Sequence, residues 1–225
     1  MANFDFKTSV IWESIPFLMQ GVELTLLITL VGCVFGFLFG SVAGLMKTSR
    51  NVVFRKLAGF YIESVRGTPL MVQVMFLYFG LPMALGVRIP PLTAGIVAIA
   101  VNSGAYIAEI VRGAVQSIRK GQVEAGRSIG LTRFQTMRYV VWPQAFKRMI
   151  PPLGNQFIIS LKDTSLLVVI GVGELTRMGQ EIISVNFRAF EVWLTVAIMY
   201  LIITMAISKF LRIVENRWFT QKTVH

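Results

Sequence analysis

The chain has 225 residues, 55% of them hydrophobic and 15% charged, with a mean hydropathy of +0.67. A soluble domain carries about 25% charged residues, so this balance argues against a soluble enzyme or binding domain and suits a chain dissolved in lipid. The formal net charge of +11 would suit a nucleic-acid binder, but the basic residues are gathered between apolar runs, which reads as membrane topology and not as nucleic-acid contact.

Residues 1–20 read as an outer amphipathic entry segment, with Trp12 and Phe17 suited to an interface. No basic region leads a short apolar run to a small-residue cleavage site, so no cleavable signal is expected. The first span is expected over about Gly21–Met46, where Leu24–Met46 is a charge-free run of 23 residues. About 20 helical residues cross a hydrocarbon core of about 30 Å. Gly32, Gly36, Gly40 and Gly44 lie four apart on this span. They form either a stripe for close helix contact or glycines merely tolerated in lipid. Cys33 reads as packing.

The second span is expected over about Leu57–Pro82 and carries Glu63, Arg66 and the run RGTPL from Arg66 to Leu70. The third is expected over about Leu92–Val111, a fourth hydrophobic region over about Ile150–Val172, and the last over about Val192–Ile213. The other charge-free runs, Gly67–Val87, Ile89–Ala108 and Val192–Ser208, hold 21, 20 and 17 residues. The expected fold is therefore all-α and membrane-embedded, a single domain of about five transmembrane helices. Basic residues concentrate in Lys47–Arg66, Arg112–Arg148 and Lys209–Lys222. Cytoplasmic loops are rich in Lys and Arg, so these clusters face the cytoplasm, the N-terminus lies outside and the C-terminus inside. Lys7, Arg88, Arg177 and Arg188 then lie outside, and Lys162 within the membrane.

The long loop reads EAGRSIGLTRFQTMRYVVWPQA from Glu124. Leu131, Phe134, Met137 and Val141 recur at helical spacing and form one apolar face, with Arg127, Arg133 and Arg138 as its polar complement. Gly130 separates two short helices, and Pro143 ends the second or opens the next span. Such a hairpin is either a plug for a partner's groove or a helix lying on anionic lipid. No GxxxxGK[ST] run is present, so ATP, if used, is held by another subunit.

The loop resembles the EAA motif of binding-protein-dependent ABC importers. Glu124, Ala125, Gly130 and Pro143 stand at that motif's spacings, while Gly126, Val140 and Trp142 depart mildly from it. RGTPL, NSGAYIAEIVRGAVQSI from Asn102, GQVEAGRSIGL, PPLGNQFI and LKDTSLLVVIGVGELTR from Leu161 are similar to the histidine/glutamine subfamily of such permeases, with glutamine permeases nearest. The resemblance covers nearly the whole chain. It implies a type I ABC importer permease fold in a bacterial inner membrane. Residues 119–143 would be the coupling loop, and Glu124, Ala125, Gly130, Leu131, Phe134 and Pro143 would meet an ATPase subunit. The implied partners are two ATP-binding-cassette subunits holding ATP and Mg, a second permease copy or close paralogue, and an extracytoplasmic amino-acid-binding protein. The chain itself would bind no cofactor or metal and catalyse no reaction.

Lys162 and Asp163 interrupt the fourth hydrophobic region near the expected midplane. A charge there costs roughly 2.5–3.5 kcal/mol and must face a cavity or a partner. Lys162 could receive the carboxylate of a zwitterionic amino acid and Asp163 its ammonium, with Thr164 and Ser165 adding hydrogen bonds. The alternative is structural pairing with Glu63 or Glu109. Asn102, Ser103, Tyr106 and Glu109 place a polar lining on the third span, Gln156 is a further candidate, and Glu109 could instead pair with Arg112 at i+3. Pro151, Pro152 and Gly154 are expected to loosen the fourth span. The reading that follows is an importer subunit for glutamine first, with arginine, histidine, glutamate and cystine open. A self-contained secondary transporter or channel is the competing class.

Overall fold

The computed structural model describes residues 5–219, with side chains through Asn216. Lys222, His225 and the first four residues of the expected entry segment lie outside the described residues. The elements are α1 (Thr8–Thr48), α2 (Val52–Arg66), α3 (Leu70–Leu85), α4 (Pro91–Gln116), α5 (Lys120–Ser128), α6 (Arg133–Ile170), α7 (Leu175–Asn186) and α8 (Ala189–Phe219). The described residues form no strand. Four helices are long and apolar enough to span a membrane, and α2 with α3 make a fifth, broken one. Exposed Leu30, Leu38, Phe39, Phe60, Leu201, Ile202, Met205 and Phe210 are the outer surface expected where lipid replaces water as solvent.

The entry segment is not a separate element. α1 runs 41 residues without interruption from Thr8, roughly 60 Å at 1.5 Å per residue, about twice the thickness of the hydrocarbon core. Nothing between Thr8 and Thr48 stops a helix except Pro16, which lies in its interior. Its N-terminal third packs on α7 and α8 through Leu18, Val22, Leu175, Val192 and Val196.

The central contact is between α1 and α4, and the glycine stripe makes it. A Cβ built on Gly40 would sit 2.5 Å from the Gly104 carbonyl oxygen and 2.9 Å from Ile107 Cβ, and one on Gly44 2.6 Å from the Ala108 carbonyl oxygen. On Gly36 it would fall on the Ser103 hydroxyl. The stripe is thus a close-contact surface, not mere tolerance in lipid. Replacing Gly40 with valine should destabilise the purified chain by roughly 1–3 kcal/mol. Gly113 has nothing within 4 Å of the same construction, so Gly113→Ala should hold or raise the melting temperature through helix propensity. Equal melting temperatures for the Gly40→Val protein and wild type would refute the stripe's role.

The second span differs from the expected continuous helix. α2 and α3 meet at 103° across Gly67–Pro69. Pro69 excludes helical backbone at Thr68 and donates no hydrogen bond. The freed carbonyls are met locally: Gln73 Nε2 donates to the Val65 and Thr68 carbonyl oxygens at 2.7 and 3.0 Å, and the Thr68 hydroxyl to that of Ser64 at 2.9 Å. Irregular backbone at membrane depth persists where its polar groups are satisfied and it lines a cavity.

Two prolines show how a helix passes an obstacle. Phe76–Gly80 and Met137–Val141 are π-helical turns, and Pro82 and Pro143 follow each at the same offset. Widening the turn relieves the clash of the proline ring with the carbonyl four residues back. Pro143 therefore opens the fourth span, and the second limb of the hairpin is the start of α6, with no break between them. Pro151 and Pro152 are accommodated inside the helix. After them the α winding continues to Asp163 and then tightens into the 3-10 turn Thr164–Ile170, which ends at Gly171 with φ +77°.

Candidate functional site

A cavity of about 630 Å³ opens at the break between α2 and α3. Its floor is the RGTPL run, Arg66–Leu70. Asn102 and Tyr106 come from α4, and Gln156, Ile159, Asp163 and Leu166 from α6. Its two ionisable walls carry opposite charge, Arg66 and Asp163. Asn102 is buried, and its Nδ2 donates to Gln73 Oε1 at 3.2 Å, which ties α4 to the start of α3. Gln156 is 5% exposed, and its Nε2 donates to Ser160 Oγ at 3.3 Å. The volume falls in the range of small-molecule sites, about 300–1,000 Å³.

The structure gathers Asn102, Tyr106, Gln156 and Asp163 around this space and leaves the other candidates elsewhere. Ser103 is buried against Gly36. Thr164 is fully buried with its hydroxyl donating to the Leu161 carbonyl oxygen, and the Ser165 hydroxyl donates to that of Lys162. Lys162 is exposed on the surface of the single chain and does not line the cavity. Glu109 takes Arg112 in a two-pronged contact, with Nη2 2.6 Å from Oε2, and Arg66 Nη1 lies 3.7 Å from the same oxygen. Glu63 pairs with Lys47 at 3.0 Å. The alternative partners considered for Lys162 are therefore both engaged elsewhere.

Arg66 is the charged lining residue that sequence reasoning did not place in the site, and Gly67, Thr68, Pro69, Leu70, Ile159 and Leu166 are the others. The Arg66 guanidinium lies 5.2 Å over the Tyr106 ring, a cation–π contact, and it joins the cavity to the Glu109–Arg112 pair. A cation beside a Gly-x-Pro break inside an apolar run was the available signal.

A second surface lies at the other end of α6. Gly130 has φ +87° and turns the chain between α5 and α6. Thr132 caps α6 in a reciprocal pair with Gln135, at 2.8 and 3.3 Å. The departure at Gly126 has a packing consequence: a Cβ there would lie 3.0 Å from Thr136 Cγ2. Arg148 Nη1 donates to the Ser117 carbonyl oxygen at 2.7 Å and fastens the C-terminal end of α4 to α6.

The expected apolar face needs correction. Val141 is 3% exposed and packs with Ile107, Val111 and Met149, and Leu131 is half-buried. The exposed edge is Ile129 (78%), Phe134 (72%) and Tyr139 (62%), with Met137 beside them. The π turn at Met137–Val141 shifts the phase at Val141, and Leu131 lies in the connection before α6 and so shares no helix face with Phe134. Glu124, Ala125 and Pro143 are exposed on the same hairpin.

Broken and continuous helices around a polar cavity, with an apolar-edged hairpin at one end, make this a membrane-spanning subunit with a polar space between its helices. Residues 36–220 match the family of binding-protein-dependent transport system inner membrane components, and the chain belongs to it. The glutamine transport system permease protein GlnP of Escherichia coli K12 is 55% identical over 213 residues, 94% of this chain and 97% of that one. The arginine transport system permease protein ArtQ of Bacillus subtilis is 34% identical across 96% and 97% of the two chains. A crystal structure of an amino acid ABC transporter with histidines superposes with TM-score 0.91 at 41% identity, covering 95% of this chain and all of that one. Inward-facing MetNI methionine transporter superposes at 0.78 and 24%, which speaks to fold alone. The chain is a permease subunit of an ABC importer with the type I fold.

Proposed function

We propose that this chain carries a polar amino acid, glutamine first, through the Arg66–Asp163 cavity by alternating access. The observation that carries the reading is the cavity itself: one carboxylate and one guanidinium, with amide side chains between, at a helix break inside the bundle. Asp163 receives the α-ammonium of the zwitterion and Arg66 its α-carboxylate, while Asn102, Gln156 and Tyr106 bound the side chain. Thr164 and Ser165 shape the turn that presents Asp163, and Ser103 and Glu109 support the wall from behind. Relatives named for glutamine and arginine transport support an amino-acid cargo, with histidine, glutamate and cystine as further candidates.

Exposed Lys162 supports pairing with a second copy or a close paralogue. A charge on the hydrocarbon face at midplane is costly, so that face is covered by protein or a water-filled path. Two ATP-binding-cassette subunits, holding ATP and Mg, seat the hairpin through Ile129, Phe134 and the exposed positions Glu124 and Ala125, with Gly130, Leu131 and Pro143 setting its shape. An extracytoplasmic binding protein delivers the substrate. The chain performs no catalysis and binds no cofactor or metal of its own. It sits in the bacterial inner membrane among lipid, N-terminus outside and C-terminus in the cytoplasm.

The test is a proteoliposome assay with the assembled transporter. ATP hydrolysis should rise when glutamine-loaded binding protein is added, and labelled glutamine uptake should be competed by excess unlabelled glutamine more strongly than by the other four amino acids. Stimulation without glutamine uptake would refute the cargo. Uptake that needs no ATPase would refute the coupled mechanism and favour a self-contained transporter.

A further inference from the structure

The break between α2 and α3 fixes more than the shape of the cavity floor. In a continuous helix the Val65 carbonyl oxygen accepts from the backbone N–H four residues on. That residue is Pro69, which has no N–H. Gln73 supplies the donor instead. Its Nε2 donates to the Val65 carbonyl oxygen at 2.7 Å, to that of Thr68 at 3.0 Å and to the Thr68 hydroxyl oxygen at 3.0 Å. Two of these partners are carbonyls, which only accept, and the Thr68 hydroxyl gives its own proton to the Ser64 carbonyl oxygen at 2.9 Å. The Gln73 amide therefore has one orientation, since turning it over would set Oε1 against two carbonyl oxygens.

That orientation fixes the next amide. Gln73 Oε1 can only accept, and the group that meets it is Asn102 Nδ2 at 3.2 Å. Asn102 Oδ1 is left over. It accepts no hydrogen bond among the described residues, and it is not sealed from its surroundings. Asn102 is otherwise buried and borders the cavity, so the cavity is the space this oxygen meets. Gln156 differs, because its partner Ser160 is a hydroxyl that both gives and accepts, which leaves its amide free to turn.

We infer that Gln73 is a positioning residue and Asn102 a selectivity residue: held by Gln73, Asn102 presents an acceptor oxygen to the cavity, so the site favours a cargo whose side chain ends in an N–H donor and disfavours one ending in a carboxylate. The inference rests on the reading of the cavity as the amino-acid site. Glutamine, arginine and histidine carry such a donor. Glutamate has the size of glutamine but brings only acceptors, and would set oxygen against oxygen. A site that hydrogen-bonds a substrate group rejects the analogue lacking it far more strongly than an apolar pocket rejects a missing methylene.

The test uses the assembled transporter without its binding protein, whose own selectivity would mask the effect, and measures equilibrium binding of labelled glutamine and labelled glutamate at pH 7. The wild type should prefer glutamine. Asn102→Leu keeps the bulk and removes the acceptor; the preference should fall at least about tenfold, through weaker glutamine binding with glutamate binding no weaker. Gln73→Met frees the Asn102 amide to turn and should lower the preference in the same sense by a smaller factor. Tyr61→Phe is the control, because the Tyr61 hydroxyl also ties α2 to α4, donating to the Val101 carbonyl oxygen at 2.7 Å, and stands outside the cavity. It should lower the melting temperature and leave the preference intact. Equal weakening of both amino acids by Asn102→Leu, a wild-type preference in the Gln73→Met transporter, or as large a fall from Tyr61→Phe overturns the inference. Asp163→Asn separates the two readings. If it binds glutamine as wild type, the cavity assignment fails and the inference with it. If it loses both amino acids while Asn102→Leu keeps the wild-type preference, only the inference fails.

Discussion

Replacing Asp163 with asparagine should raise the KM for uptake roughly 10- to 100-fold, or abolish uptake, while the transporter assembles and hydrolyses ATP at its basal rate. The substitution keeps the side chain's shape and removes its charge, so packing around the turn is preserved. On the proposed reading of the cavity, what is lost is a charge-assisted contact to the substrate ammonium, worth roughly 1.5–3 kcal/mol. Asp163 is half-buried and lines the cavity, where water compensates poorly. Arg66→Gln should be as damaging but is less clean, because Arg66 also stands over Tyr106 and beside Glu109. Lys162→Met should be milder for substrate affinity, since Lys162 does not line the cavity. Binding and uptake measured side by side decide the matter. A wild-type KM for the Asp163→Asn transporter would remove the cavity from the transport path.

The second large effect is expected at Gly130. Gly130→Val should suppress ATP hydrolysis stimulated by loaded binding protein at least about tenfold, with basal hydrolysis retained. No atom lies within 4 Å of a Cβ built there, so the substitution meets no steric obstacle within the chain. The conflict is in the backbone: φ is +87°, where a β-branched residue is strained by roughly 1–3 kcal/mol. The hairpin would relax into another turn and move Ile129 and Phe134 out of register with a partner groove. Gly130→Asn, which tolerates left-handed backbone, should retain most of the stimulation. The pair of variants isolates backbone conformation, and full stimulation by Gly130→Val would show that the turn's geometry does not matter for coupling.

The chain's local signals survive comparison with the structure unevenly. The charge-free runs located the spans because crossing hydrocarbon requires a minimum apolar length. The spacing of Glu124, Gly130 and Pro143 located the hairpin, because glycine and proline act on their own backbone. The same local reasoning failed on the entry segment, where an outer amphipathic helix and the N-terminus of a long span carry the same residues. It failed again on Val141, because a 3.6-residue period assumes uniform winding and the π turn ahead of Pro143 breaks it. The bend at Gly67–Pro69 was written in the sequence as Gly-Thr-Pro, yet an apolar run of the right length hid it.

Sequence by itself determined the class of molecule: about five apolar passages, basic stretches between them, and a glycine-turned hairpin. Each of these follows from composition or spacing within about 25 residues. Tertiary structure alone decided which charges meet. Arg66 and Asp163 come from helices nearly a hundred positions apart and share one cavity, whereas Lys162, adjacent to Asp163, is turned away from it. Glu174 and Tyr200 likewise meet only where the start of α7 approaches α8. Side-chain direction at a given depth depends on helix phase, and phase depends on every break and π turn before it, so no spacing rule along one helix predicts what faces it from another.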